Sequence, residues 1–127
     1  MANSQYVRVE FENDPHAARQ ARVAISKLFP GIGDSRLASV TLAASELVTN
    51  VVGHTAHGGV LEVWVTDELV RIEVADYSED HPHFVDGARV GGRGLRVVAS
   101  TSDRWGVEAR ANGKVVWAEF GDKDGHR

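Results

Sequence analysis

Residues 60–76 place the tightest constraint on the fold. "VLEVWVT" and "LVRIEVAD" each alternate apolar and polar residues, and Asp67 and Glu68 join them. A period of two belongs to an extended chain with one buried face, so the pair predicts a β-hairpin. Val70, Ile72 and Val74 then share a face, and Asp76 falls on that same face at the strand's end. An aspartate there is ordinarily a turn starter. The sharper reading is a carboxylate at the lip of a pocket.

A sheet with one apolar face needs a second layer over it, and two segments supply helices. "NDP" offers Asp14 as a cap and Pro15 as a first helical residue, with the helix running to about Phe29. "PGIGDS" breaks it, and Asp34 or Ser35 can cap the next. In that second helix Leu37, Val40, Ala44, Leu47, Val48 and Val51 form a core-facing stripe. Leu42, Glu46, Asn50 and His54 form a separate row beside it, four residues apart. The helix stops near Thr55, ahead of "AHGG".

"YVRVEF" reads as an earlier strand, Tyr6 to Phe11. "YSEDHPHFVDGARVGG" has no clean period and is long for a connection, which points to a functional loop. "GRGLRVVASTS" opens on glycines and becomes a short helix. "DRWGVEAR" and "KVVWAEF" flank "ANG", a second hairpin. The order β, α, α, β, β, loop, α, β, β predicts an α+β fold. Its form is a two-layer α/β sandwich, with helices on one face of a mixed, mostly antiparallel sheet. Residues 1–127 read as one domain with its core between about 6 and 120 and a polar tail at 121–127.

Composition removes several functions. There are no cysteines, so disulfides, thiolate metal sites and Cys nucleophiles are excluded. The formal charge is −4, which argues against broad binding of nucleic acid or anionic membranes. No apolar run approaches the roughly 20 residues that span a bilayer, and "MANSQYVRVEF" lacks the pattern of a signal peptide. The expected compartment is the cytoplasm. Trp64, Trp105 and Trp117 fall in predicted strands, as core or interface residues. His81 and His83 flank Pro82, and His54 and His57 close the second helix. Spacing fixes no third ligand, so solvated histidines are the better reading. His54 continues the Glu46/Asn50 row and either borders a ligand or favours the helix C-terminus as a partial cation.

Three features remain: the Glu46/Asn50 row, Asp76 after a strand, and "GRGL", Gly92-Arg93-Gly94-Leu95, at a helix start. An asparagine in mid-helix competes for backbone hydrogen bonds and calls for a reason. Glycines before a helix let a phosphate approach free N–H donors. Arg93 offers a fork of donors there, although a solvated loop arginine is as good a reading.

"ELVTN", "VADYS" and "GGRGL", in this order and spacing, resemble the three sequence boxes of the GHKL ATPase (Bergerat) fold. The closing "DRWGVEARANGKVVWAEF" resembles its small single-domain bacterial branch, the anti-sigma factor serine/threonine kinases of the RsbW/SpoIIAB type and their actinobacterial relatives. The likeness runs from about Asp14 to Phe120. It implies that Asn50 ligates a Mg²⁺ bridging the phosphates of ATP, and that Glu46 is the general base. It implies that Asp76 reads adenine, that Gly92, Gly94 and Leu95 form the phosphate turn beside Arg93, and that Tyr77 to Gly91 form the lid. Ser78, beside the adenine, stands where the wider fold has glycine.

The implied activity is ATP-dependent phosphorylation of a STAS-domain anti-sigma antagonist, with sequestration of a sigma factor or similar regulator by a homodimer. No direct nucleic-acid or membrane partner is implied. Two other readings stand beside it. One is a regulatory module that holds ATP, or nothing, and acts by sequestration alone. The other is a histidine-kinase catalytic fragment, which the missing helix pair with a phosphoacceptor histidine disfavours.

Overall fold

The computed structural model describes residues 4–29, 34–77 and 92–121. The predicted alternation appears as five strands: β1 Gln5–Phe11, β2 Gly59–Val65, β3 Val70–Asp76, β4 Arg104–Arg110 and β5 Gly113–Phe120. They form one sheet in the order β1-β2-β3-β5-β4. Every pairing is antiparallel, so the expectation of a mixed sheet does not hold among the described residues. The reason is connectivity. Two tight hairpins join β2 to β3 and β4 to β5, and the inner strand β5 runs back along β3.

Three helices complete the element order: α1 Ala17–Ser26, α2 Leu37–His54 and α3 Gly92–Thr101. α2 is the central element of this layer, in contact with α1, α3, β2 and β3. One sheet face supplies Leu61, Val63, Val65, Val70, Ile72, Val74, Val116, Ala118 and Phe120 to the core. α2 supplies Val40, Ala43, Ala44, Leu47, Val48 and Val51. Burying one such side chain is worth about 1.5–3 kcal/mol, so this face holds the layers together.

α1 starts later and stops earlier than the sequence suggests. The Asp14 carboxylate accepts from the His16 N–H at 2.6 Å, which makes a local turn ahead of the helix. After Ser26 the bonds tighten to Leu28 N–H to Ile25 O and Phe29 N–H to Ser26 O.

Both ends of α2 are tied to distant chain. At the C-terminal end the Asn13 amide donates to the carbonyls of Val52 and Thr55, two groups no intrahelical donor can reach. At the N-terminal end Arg36 is buried, with 5% of its surface exposed. Its guanidinium meets Asp34 through Nε at 3.0 Å and through a second nitrogen at 2.8 Å. It also donates to the carbonyls of Thr66 at 2.7 Å and Gly121 at 3.3 Å. The Phe29 ring lies 5.9 Å from its central carbon. One cation thus joins the start of α2, the β2–β3 turn and the end of β5.

The opposite sheet face carries the alternate residues. Arg71 lies 4.6 Å over the Trp117 ring and pairs with Glu73 and Glu119 at 2.8 and 2.7 Å. Tyr6 stacks at a tilt beside Trp64, and its hydroxyl donates to Glu62 at 2.6 Å. That carboxylate pushes the Tyr6 phenol above its ordinary pKa. Trp64 and Trp117 are therefore half-buried on this outer face, and Trp105 is exposed. None of the three joins the core cluster, so only the interface half of the sequence expectation stays open.

Candidate functional site

The alternation that buries Val70, Ile72 and Val74 continues to Asp76, which is 3% exposed on the helix-covered side of the sheet. Across the strands the register places Phe11, Gly59, Asp76, Lys114 and Ala109 in one row. On one side of Asp76, Gly59 carries no side chain. On the other, the Lys114 ammonium stands 2.9 Å from Asp76 Oδ2, with 16% of the lysine side chain exposed. A carboxylate so deeply buried is costly unless it is paired, and Lys114 supplies the pairing charge.

The β4–β5 turn fixes this arrangement. Gly113 has φ +148, a region that only glycine adopts freely. A Cβ there would run into the Asp76 carbonyl oxygen and stand 2.9 Å from its Oδ1. Gly113→Ala is therefore expected to destabilise the protein by about 1–3 kcal/mol, read as a lower urea midpoint. An unchanged midpoint would show that the hairpin relaxes around the new methyl group.

Glu46 and Asn50 lie one turn apart on α2, both half-buried, between the fully buried neighbours Leu47, Val48 and Val51. His54 is the exposed last residue of the same helix. Thr55 ends the helix, its hydroxyl donating to the Val51 carbonyl at 2.8 Å. α3 begins at Gly92, as the glycine signal predicts, and Leu95 is buried in its first turn. Since α2 touches both β3 and α3, the three segments belong to one packed unit. Ser78 and the expected lid lie outside the described residues, as do His81 and His83; of Arg93 and the glycines at 92 and 94 only the helical backbone is described.

The donor set can be tested against the expected ligands. A buried carboxylate suits a base amine, and a helix start suits a phosphate. Among the described residues no group of three or more His, Asp or Glu side chains could hold a metal ion. A cation beside Asn50 therefore fits only if it arrives with oxygen ligands of its own, as Mg²⁺ on a nucleotide does. Two shallow grooves lie elsewhere. One runs between β1 and α1, past Val9, Arg19 and Val23; the other runs between α1 and α2, past Arg22, Leu37 and Leu42. Neither includes Glu46, Asn50 or Asp76. Among the described residues no helix is long and apolar enough to cross a membrane.

Two residues of consequence escape the sequence reading. Lys114 is one, because its place beside Asp76 depends on β5, not β4, pairing with β3. Arg36 is the other, and its only local sign is Asp34 two residues earlier.

Comparison with solved structures gives the same fold. The crystal structure of the RsbU and RsbW domains of Rv1364c from Mycobacterium tuberculosis matches with a TM-score of 0.71 and 21% sequence identity. The match covers 93% of this chain and 32% of that one, so this chain spans about a third of the protein it resembles. No curated protein matches the sequence. Residues 11–120 match the histidine kinase-like ATPase domain. With the helix-over-antiparallel-sheet architecture and the buried Asp76 at the end of a central strand, that match assigns the chain to the histidine kinase-like ATPase domain family, and hence to an ATP-binding fold.

Proposed function

We propose that this chain is an ATP-dependent protein serine/threonine kinase of the anti-sigma type. It phosphorylates a STAS-domain antagonist and sequesters a sigma factor or similar regulator, as a homodimer in the cytoplasm. The observation that carries the reading is Asp76, a buried carboxylate at the end of a central strand in a chain of an ATPase family. In this reading Asp76 accepts from the exocyclic amine of adenine. Asn50 offers its amide oxygen to Mg²⁺, and the backbone from Gly92 to Leu95 receives the phosphates, with Arg93, Ser78 and His54 bordering the nucleotide. Bound Mg²⁺ supplies neutralisation of phosphate charge. Glu46, one helical turn from Asn50, takes the proton of the acceptor hydroxyl as its oxygen bonds to the γ-phosphorus and ADP leaves.

Calorimetric titration with Mg-ATP tests the base site. Wild type is expected to bind, and Asp76→Asn to bind about 10- to 100-fold more weakly, the value of a hydrogen bond to a charged acceptor. Binding also raises Tm by linkage, and a ligand-free Asp76→Asn that still melts cooperatively shows that the variant is folded and only its ligand response is reduced. An unchanged affinity in Asp76→Asn rejects the site. A wild type that binds ATP but labels no STAS protein is a sequestering module instead of a kinase.

A further inference from the structure

We propose that Lys114 is a specificity-determining residue of the base site, donating a hydrogen bond to ring nitrogen N1 of adenine while Asp76 accepts from the neighbouring amine. The inference rests on the ATP-binding reading above and extends it to a residue with no role there. Lys114 and Asp76 are register partners on the helix-covered face, with the ammonium 2.9 Å from Oδ2. An ammonium has three N–H donors. One faces Asp76, and among the described residues Lys114 has no other hydrogen-bond or ion-pair partner.

The chemistry of the edge matches. Adenine presents an amine donor directly beside a ring-nitrogen acceptor. The row presents a carboxylate acceptor directly beside an ammonium donor. Both protein groups are held in place. Gly113 packs against the main chain and Oδ1 of Asp76, and the 16% exposure of Lys114 leaves its stem little freedom. On the far side of Asp76 the row continues to Gly59, against which the Phe11 ring packs. The base would therefore be read by two adjacent groups of opposite charge.

Lys114 could instead serve only to neutralise Asp76, and nucleotide analogues separate the two roles. The analogue 1-deaza-ATP replaces N1 with a C–H group and keeps the amine. Wild type is expected to bind it about 10- to 100-fold more weakly than ATP, the loss of one hydrogen bond to a charged donor. In Lys114→Met the ratio between the two nucleotides is expected to fall to near one. Lys114→Gln, which keeps an N–H donor, is expected to restore part of it.

A wild-type ratio near one overturns the inference without any variant, so a poorly folding Lys114→Met does not shield it. A ratio that survives in Lys114→Met also overturns it, because a mere neutraliser weakens both nucleotides alike. Those failures leave ATP binding and its dependence on Asp76 intact. Absence of ATP binding by wild type, or binding indifferent to Asp76→Asn, removes the nucleotide reading and this inference together.

Discussion

Glu46→Ala is expected to reduce phosphate transfer from ATP to a STAS-domain acceptor by about 10²- to 10⁴-fold, the usual worth of a positioned general base. ATP affinity is expected to stay at the wild-type value, since in this reading Glu46 meets the incoming hydroxyl and not the nucleotide. The position favours a clean result. Glu46 is half-buried on a long helix, and alanine is the best helix former, so the backbone of α2 loses nothing. Single-turnover transfer of labelled phosphate, with affinity measured alongside, separates the two effects. Transfer that persists in Glu46→Ala rejects the base assignment. Loss of transfer with an equal loss of affinity would move Glu46 to the binding of metal or phosphate.

The second large effect concerns stability. Arg36→Ala is expected to cost about 3–5 kcal/mol, the range for removing one partner of a buried charge pair. The change withdraws the bidentate partner of Asp34 and the donors to the Thr66 and Gly121 carbonyls together. Arg36→Lys is expected to recover only part, because a point-like ammonium cannot reproduce the planar fork across Asp34 and two carbonyls. Urea unfolding measures both. A loss below about 1 kcal/mol, the worth of a surface ion pair, would show that the burial of Arg36 matters less than its contacts suggest.

These two residues show what sequence could and could not reveal. Glu46 and Asn50 are legible because a helix has a fixed period, and its apolar stripe leaves their row beside it. Asp76 is legible because strand alternation is equally fixed, and its burial follows from Val70, Ile72 and Val74. Ala43 joins the core beyond the predicted stripe, because α2 has neighbours on several sides and buries a wider arc than one face. The outer-face tryptophans were less readable. Alternation tells which residues share a face, but an aromatic residue fits either one.

Long-range pairing defeats such reading. Arg36 bonds to carbonyls 30 and 85 residues away, and no local pattern announces them. Lys114 looks like a solvated strand-end lysine until β5 is placed against β3. The late start of α1 has a local cause. Asp14 spends its carboxylate on a turn instead of on the helix that follows.

The hairpin turn at Ala111 and Asn112 has the consequence of an alignment key. It sets the register of the edge strand β4 against β5, whereas the residue of β5 opposite Asp76 is set by Val116, Ala118 and Phe120 holding to the core. One residue inserted or deleted there would turn the side chains of β4 to the opposite face of the sheet and leave Lys114 beside Asp76. Changes of chain length in that bend are therefore expected to disturb the outermost strand and to spare the lysine–carboxylate pair.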